Sequence, residues 1–168
     1  MSSELRVDKI IPTAGVPTGG GGGIIQIKQG TLTTPVSTST SGSFTDTGLT
    51  ATITPKFNTS KIFCMVSLGS LSSPGGTSTG FRLVRGSTDI AMPDSTALQS
   101  GFTNIYVSED SSLFSVNFNF LDSPGVDTAL TYKITWRNSG NTTWLGRFTG
   151  NATNYNGVST LILMEVSA

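Results

Sequence analysis

Two pairs of carboxylates, one thiol and a group of aromatic and amide side chains near turns are the residues whose type and spacing could do chemistry. Glu109 with Asp110, and Asp122 with Asp127, are close enough in sequence to suggest glycoside hydrolysis, which needs two carboxyl groups converging on one bond. Each pair, however, sits at the end of an apolar run beside turn residues, where aspartate bonds nearby backbone donors. Turn chemistry is therefore the expected role, and it extends to Asp89 and Asp94, which lack the acidic series of a calcium loop. Cys64 lies inside IFCMVSL and reads as a small buried apolar residue. The chain contains no histidine, so the commonest general base and metal ligand is missing and Ser-His-Asp and Cys-His catalysis are excluded. A single cysteine permits neither an intrachain disulfide nor a thiolate zinc cluster. The expectation is a protein that is not an enzyme and carries no cofactor or metal.

Binding chemistry has more support. Trp144 follows the turn-rich NSGNTT, and Tyr155 stands in NATNYNG together with Asn151, Asn154 and Asn156. Rings beside amides suit the faces and hydroxyls of sugars, so these five residues are the candidate receptor or glycan contacts, gathered at one end of the domain where loops cluster. The competing expectation is that Trp144 covers the end of the core. No Gly-Lys dipeptide occurs, which excludes a phosphate-binding P-loop. The GGGGG run follows a proline-broken segment and opens no helix, which excludes a dinucleotide fingerprint.

The elements that must position these residues are strands. In LFSVNFNFL, Phe114, Val116, Phe118 and Phe120 share one face while Ser115, Asn117 and Asn119 share the other, a period of two that a helix would scatter. Leu49, Ala51 and Ile53 alternate in the same way, as do Tyr132, Ile134 and Trp136 against Lys133, Thr135 and Arg137. Residues 61–68 and 159–166 are apolar on both faces, which predicts central strands or strands whose outer face meets another subunit. Shorter strands are expected over 24–29, 80–85, 88–91 and 104–107, with turns at Arg85-Gly86-Ser87, Ser123-Pro124-Gly125 and Asn138–Asn141. About eight or nine strands and no convincing amphipathic helix predict an all-β, jelly-roll-like two-sheet β-sandwich with an extended N-terminal arm.

Composition agrees with that class. Of 168 residues, 23 are Ser and 26 are Thr, and only 12% are charged against roughly 25% in an average soluble protein. The surface is polar but nearly uncharged. Ten basic and ten acidic residues cancel, so no basic field attracts nucleic acid or an anionic membrane, and no apolar run is long enough to insert in one. Residues 1–23 divide from the rest: LRVDKII offers Leu5, Val7, Ile10 and Ile11, two prolines follow, and Gly19, Gly20, Gly21, Gly22 and Gly23 read as a hinge. The expected organisation is an anchoring arm and linker over 1–23 and a β-sandwich head over 24–168.

Several phrases carry a resemblance. The opening SELRVDKIIPTAGVPTGGGGG is similar to the N-terminal tags of virion fibre and appendage proteins of marine tailed phages, particularly cyanophages. FTDTGLTATITPKFNTSKIFCMVSL, FRLVRG, NFLDSPGVDTALTYKITWR and STLILMEV resemble, in order and spacing, a recurring β-sandwich module of phage tail fibres. The resemblance implies a virion structural protein, assembled in the host cytoplasm. Leu5, Val7, Ile10 and Ile11 would anchor it to another virion protein, and a homotrimeric head would meet a host-surface glycan. A capsid head decoration without a receptor role, and a stand-alone carbohydrate-binding module, are the alternatives.

Overall fold

A computed structural model of the chain describes residues 23–94, 97–110, 112–150 and 155–167. They form eleven strands: β1 (Ile24–Leu32), β2 (Val36–Thr38), β3 (Thr45–Ile53), β4 (Lys61–Ser72), β5 (Thr77–Arg85), β6 (Thr88–Ile90), β7 (Thr103–Val107), β8 (Phe114–Asp122), β9 (Leu130–Asn138), β10 (Thr143–Leu145) and β11 (Ser159–Val166). No helix occurs among the described residues. The two strands beyond the sequence expectation, β2 and β10, are three residues long, too short for a period of two to register.

The strands form two curled antiparallel sheets packed as a sandwich. In the six-stranded sheet, β4 is paired by β8 on one side and by β11 and then β10 on the other, while β1 pairs with β11 and β2 with β10. In the five-stranded sheet, β9 lies between β3 and β5, and β6 and β7 follow one another along the far side of β5. Both segments with two apolar faces, β4 and β11, are thus interior strands, as their composition predicts.

The core lies where the alternating patterns point. Leu49, Ala51 and Ile53 of β3 face Ile62, Cys64, Val66 and Leu68 of β4, with Tyr132, Ile134 and Trp136 of β9 all buried among them. Phe114, Val116, Phe118 and Phe120 share the inward face of β8, but only Val116 is fully buried because β8 is an edge strand. Stacked rings close that edge: Phe102 lies 6.3 Å from Phe81 and 4.5 Å from Phe118, so the loop before β7 bridges the sheets. At the opposite edge, β1 and β3 approach so closely that a Cβ on Gly30 would lie 1.8 Å from the Thr50 carbonyl oxygen. No side chain fits there.

Two polar devices sit inside. Asp122, at the inward end of β8, accepts from Arg85 Nη1 at 2.7 and 2.8 Å and from the Tyr132 hydroxyl at 2.7 Å. Burial, reinforced by the bond to Asp122, pushes the Tyr132 phenol well above its ordinary range, and burial pushes the Cys64 thiol up to about 12. Asp122 is therefore not a turn residue, as expected from sequence; its carboxylate points inward from the last strand position and joins the two sheets. Glu165 follows the inward Leu161 and Leu163 on β11 and is fully buried, accepting from Gln26 Nε2 and the Lys56 amide, each at 2.6 Å.

Candidate functional site

The outer face of the six-stranded sheet is built by register. Ile27 of β1 pairs with Met164 of β11, Met164 with Phe63 of β4, and Phe63 with Leu121 of β8, giving one apolar row across four strands. The next row reads Gln29, Ile162, Met65 and Asn119, and the third Thr31, Thr160, Ser67 and Asn117. The face grades from apolar to hydroxyl and amide, and Lys61 is the only charged side chain at the outer positions of these strands. Ile27 is 54%, Leu121 47% and Met65 39% exposed. A shallow groove of about 210 Å³ runs between β8, β4 and β11, floored by Met65 and Ile162 and rimmed by Asn117 and Asn119. Contiguous apolar surface without charge is rare on a solitary soluble domain and suits burial against protein.

The two-sided runs 61–68 and 159–166 pointed to this surface, whereas Ile27 and Leu121 went unnoticed. Their signal was present in register form: Leu121 breaks the polar alternation set by Asn117 and Asn119, and Ile27 does the same before Gln29 and Thr31.

The candidate glycan contacts are placed differently. Trp144 lies in the middle of β10, with its neighbours Thr143 and Leu145 buried, so its ring is on the outer face and does not cover the core. The Arg147 guanidinium lies 3.4 Å from the ring centroid, a cation-π contact that occupies one face of the indole. Tyr155 is 65% exposed and packs edge-on against Phe148, with 5.8 Å between centroids. The amide of Gly157 bonds the Gly146 carbonyl at 3.1 Å, which holds the two loops together. Two contacts, Arg147 on Trp144 and Tyr155 against Phe148, thus lie next to each other at the loop end because Arg147 and Phe148 are consecutive, and the exposed Asn156 follows Tyr155 in sequence. Asn151 and Asn154 lie outside the described residues. Arg147 escaped the sequence reading because an isolated arginine in a loop carries no pattern.

The arm residues Leu5, Val7, Ile10 and Ile11, and Gly19 to Gly22, lie outside the described residues as well. Gly23, the last of the five glycines, is the first described residue, and its carbonyl accepts from the Ser167 amide at 3.1 Å, extending the β1–β11 ladder by one pair. Antiparallel pairing recruits it because its partner strand reaches that far.

No group of three or more His, Cys, Asp or Glu able to hold a metal occurs among the described residues. Asp110 accepts from the Gly75 amide at 2.6 Å, a loop bond of the expected kind, and Asp89 pairs with Arg82 at 2.7 Å. Compared with protein-family models and with curated proteins, the chain matches none.

Proposed function

We propose that the chain is a phage virion structural protein, a short tail-fibre or appendage protein held by an N-terminal arm and presenting a trimeric β-sandwich for host-surface attachment. The observation that carries the reading is the apolar row of Ile27, Met164, Phe63 and Leu121 on an otherwise almost uncharged sheet face. Three copies turning this face to a common axis would bury the row and leave the amide-rich edge wet. The resemblance of the N-terminal tag and of the strand phrases to phage fibre proteins supports the same reading.

The finer fold reading is a jelly roll. It is supported by the strand order β1-β11-β4-β8 in one sheet facing β3-β9-β5-β7 in the other, in which the chain passes repeatedly between the sheets. We also infer that the head acts by binding and not by catalysis. Asp122, the carboxylate that would pair with Asp127, is buried and engaged by Arg85 and Tyr132, which suits cohesion between sheets better than proton transfer.

Immunogold labelling of intact particles tests the role. Label at the tail or an appendage is expected; label spread over the capsid favours a head decoration, and unlabelled particles overturn the virion reading. A chain beginning at Gly23 is expected to keep its melting temperature and oligomeric state while failing to incorporate. Normal incorporation of that chain would refute the anchoring arm.

A further inference from the structure

The outer face of the five-stranded sheet carries an open depression of about 690 Å³ between the Gly42–Phe44 loop and the Ala97–Leu98 loop, with Arg82 and Arg137 in its lining. The two arginines stand on adjacent strands, Arg82 opposite Thr135 and Arg137 opposite Gly80, so they are diagonal neighbours on one face. Each is held in place by the loop above it. Arg82 donates from Nε to the Ser100 carbonyl at 2.7 Å and from Nη1 to Asp89 at 2.7 Å, and its guanidinium lies 3.8 Å from the Phe44 ring centroid. Arg137 donates from Nε to the Ser41 carbonyl and from Nη1 to the Leu98 carbonyl.

These bonds use Nε and Nη1 of both guanidiniums, and among the described residues neither Nη2 has a protein partner. The charges are also unequal in their surroundings. Asp89 balances Arg82, whereas Arg137 meets only backbone carbonyls and no carboxylate among the described residues. The site therefore holds one uncompensated positive charge on a guanidinium already ordered by two bonds, and a planar, pre-ordered guanidinium matches a single oxyanion. One such charge is too little for a nucleic-acid backbone, whose binding rests on neutralising many phosphates. Beside the charge stand an aromatic ring at Phe44, an aliphatic rim at Leu98, 79% exposed, and the hydroxyl residue Ser43. The volume lies in the range of small-ligand sites, roughly 300 to 1,000 Å³.

We propose that this depression binds an acidic saccharide, a sugar unit bearing one carboxylate or sulfate ester, with the oxyanion on Arg137 and the sugar's CH face against Leu98 and Phe44. The assignment stands on these residues and is independent of the virion reading and of the Trp144 loop.

Isothermal titration of the full chain tests it, with an oligoguluronate, a sulfated galactan oligosaccharide, neutral maltotetraose and inorganic sulfate as the probes. At least one acidic oligosaccharide is expected to bind, more weakly as salt rises, while maltotetraose does not. Arg137→Gln is expected to weaken binding by about tenfold or more, the usual worth of a hydrogen bond to a charged group. Should that variant lose its fold, Leu98→Glu decides, because Leu98 is exposed and a rim carboxylate repels the ligand; a similar loss is expected. Failure of both acidic oligosaccharides to bind up to about 10 mM, an affinity regarded as no better than weak, overturns the proposal. So does equal binding of maltotetraose, inorganic sulfate binding as well as the sugars, or an unchanged affinity in Leu98→Glu.

Discussion

The two sheets share one core and differ in what they show the solvent. Both inner faces are lined by aliphatic and aromatic side chains from an alternation of period two. On the outside, the six-stranded sheet presents Ile27, Met164, Phe63, Leu121, Ile162 and Met65, with Lys61 the only charge at the outer positions of β1, β11, β4 and β8 and Arg147 stacked on Trp144 at the β10 end, whereas the five-stranded sheet presents Asp46, Arg82, Asp89, Lys133 and Arg137. A fold that needs only its core buried would gain nothing from this asymmetry. The apolar face is what packing against protein requires, and the charged face is what remaining in water requires. The same asymmetry marks the ion pairs: Arg85–Asp122 lies between the sheets, while Lys133–Asp46, at 2.9 Å, lies on the charged outer face with Asp46 well exposed.

The largest effect should come from charging the apolar face. Ile27→Glu combined with Leu121→Glu, both on edge strands and about half exposed, is expected to reduce the mass in light scattering from three times 17.5 kDa to one chain, with the fold retained. Thr50→Glu and Thr52→Glu on the opposite sheet should leave the mass unchanged. A wild-type mass of one chain, or equal effects from both pairs, would remove the distinction between the faces.

Breaking the inner ion pair comes next. Asp122→Ala leaves the buried Tyr132 hydroxyl without its acceptor, while Arg85, whose side chain is 24% exposed, can turn toward water, so a loss of about 2 to 3 kcal/mol is expected in urea denaturation, the cost of unpairing a buried group from a charged partner. The matching outer change, Asp46→Ala, should cost less than about 1 kcal/mol because water screens the pair. Comparable losses would mean that the inner pair is solvated in a way its burial does not suggest.

Gly30→Ala probes the edge where β1 crosses β3. Overpacking against a backbone carbonyl is expected to cost about 1 to 3 kcal/mol in the same assay. A neutral outcome would show that the two sheets separate there without penalty.

A smaller effect is expected with pH. The Tyr132 phenol and the Cys64 thiol both have raised values in the folded state, so the unfolded chain gives up these protons first. Their contribution is complete below about pH 9, the ordinary value of the thiol, and is lost progressively as pH rises above it, so thermal stability should fall through pH 9 to 11. Tyr132→Phe should be less stable at neutral pH, since Asp122 loses a donor, and should show a shallower alkaline decline. An identical alkaline slope in that variant would assign the decline to other groups.

Much of this molecule was legible without coordinates because strands reveal themselves through a local repeat. Phe118 between Asn117 and Asn119, or Ile134 between Lys133 and Thr135, specifies a face from its immediate neighbours, and a one-residue slip would expose every core residue. The double-sided runs of β4 and β11 likewise announced interior positions. The absence of histidine and of a second cysteine excluded whole classes of chemistry by inventory alone.

Tertiary structure decided everything that depends on which strand lies beside which. The row Ile27, Met164, Phe63 and Leu121 draws on four segments spread over most of the chain, and nothing local aligns them. Asp122 beside a turn signal looks like a turn residue until the packing of the sheets sets β8 against Arg85 of β5 and Tyr132 of β9. Glu165 occupies an inward position, yet its partners Gln26 and Lys56 are more than a hundred residues away. Trp144 on β10 and Arg147 in the loop after it are three apart, and packing alone brings the guanidinium over the ring, while the proximity of Arg82 and Arg137 comes from antiparallel register. Side-chain alternation is a property of adjacent peptide units and is written in sequence; strand pairing is chosen by the free energy of the whole sandwich, so contacts across it appear only when the chain has closed.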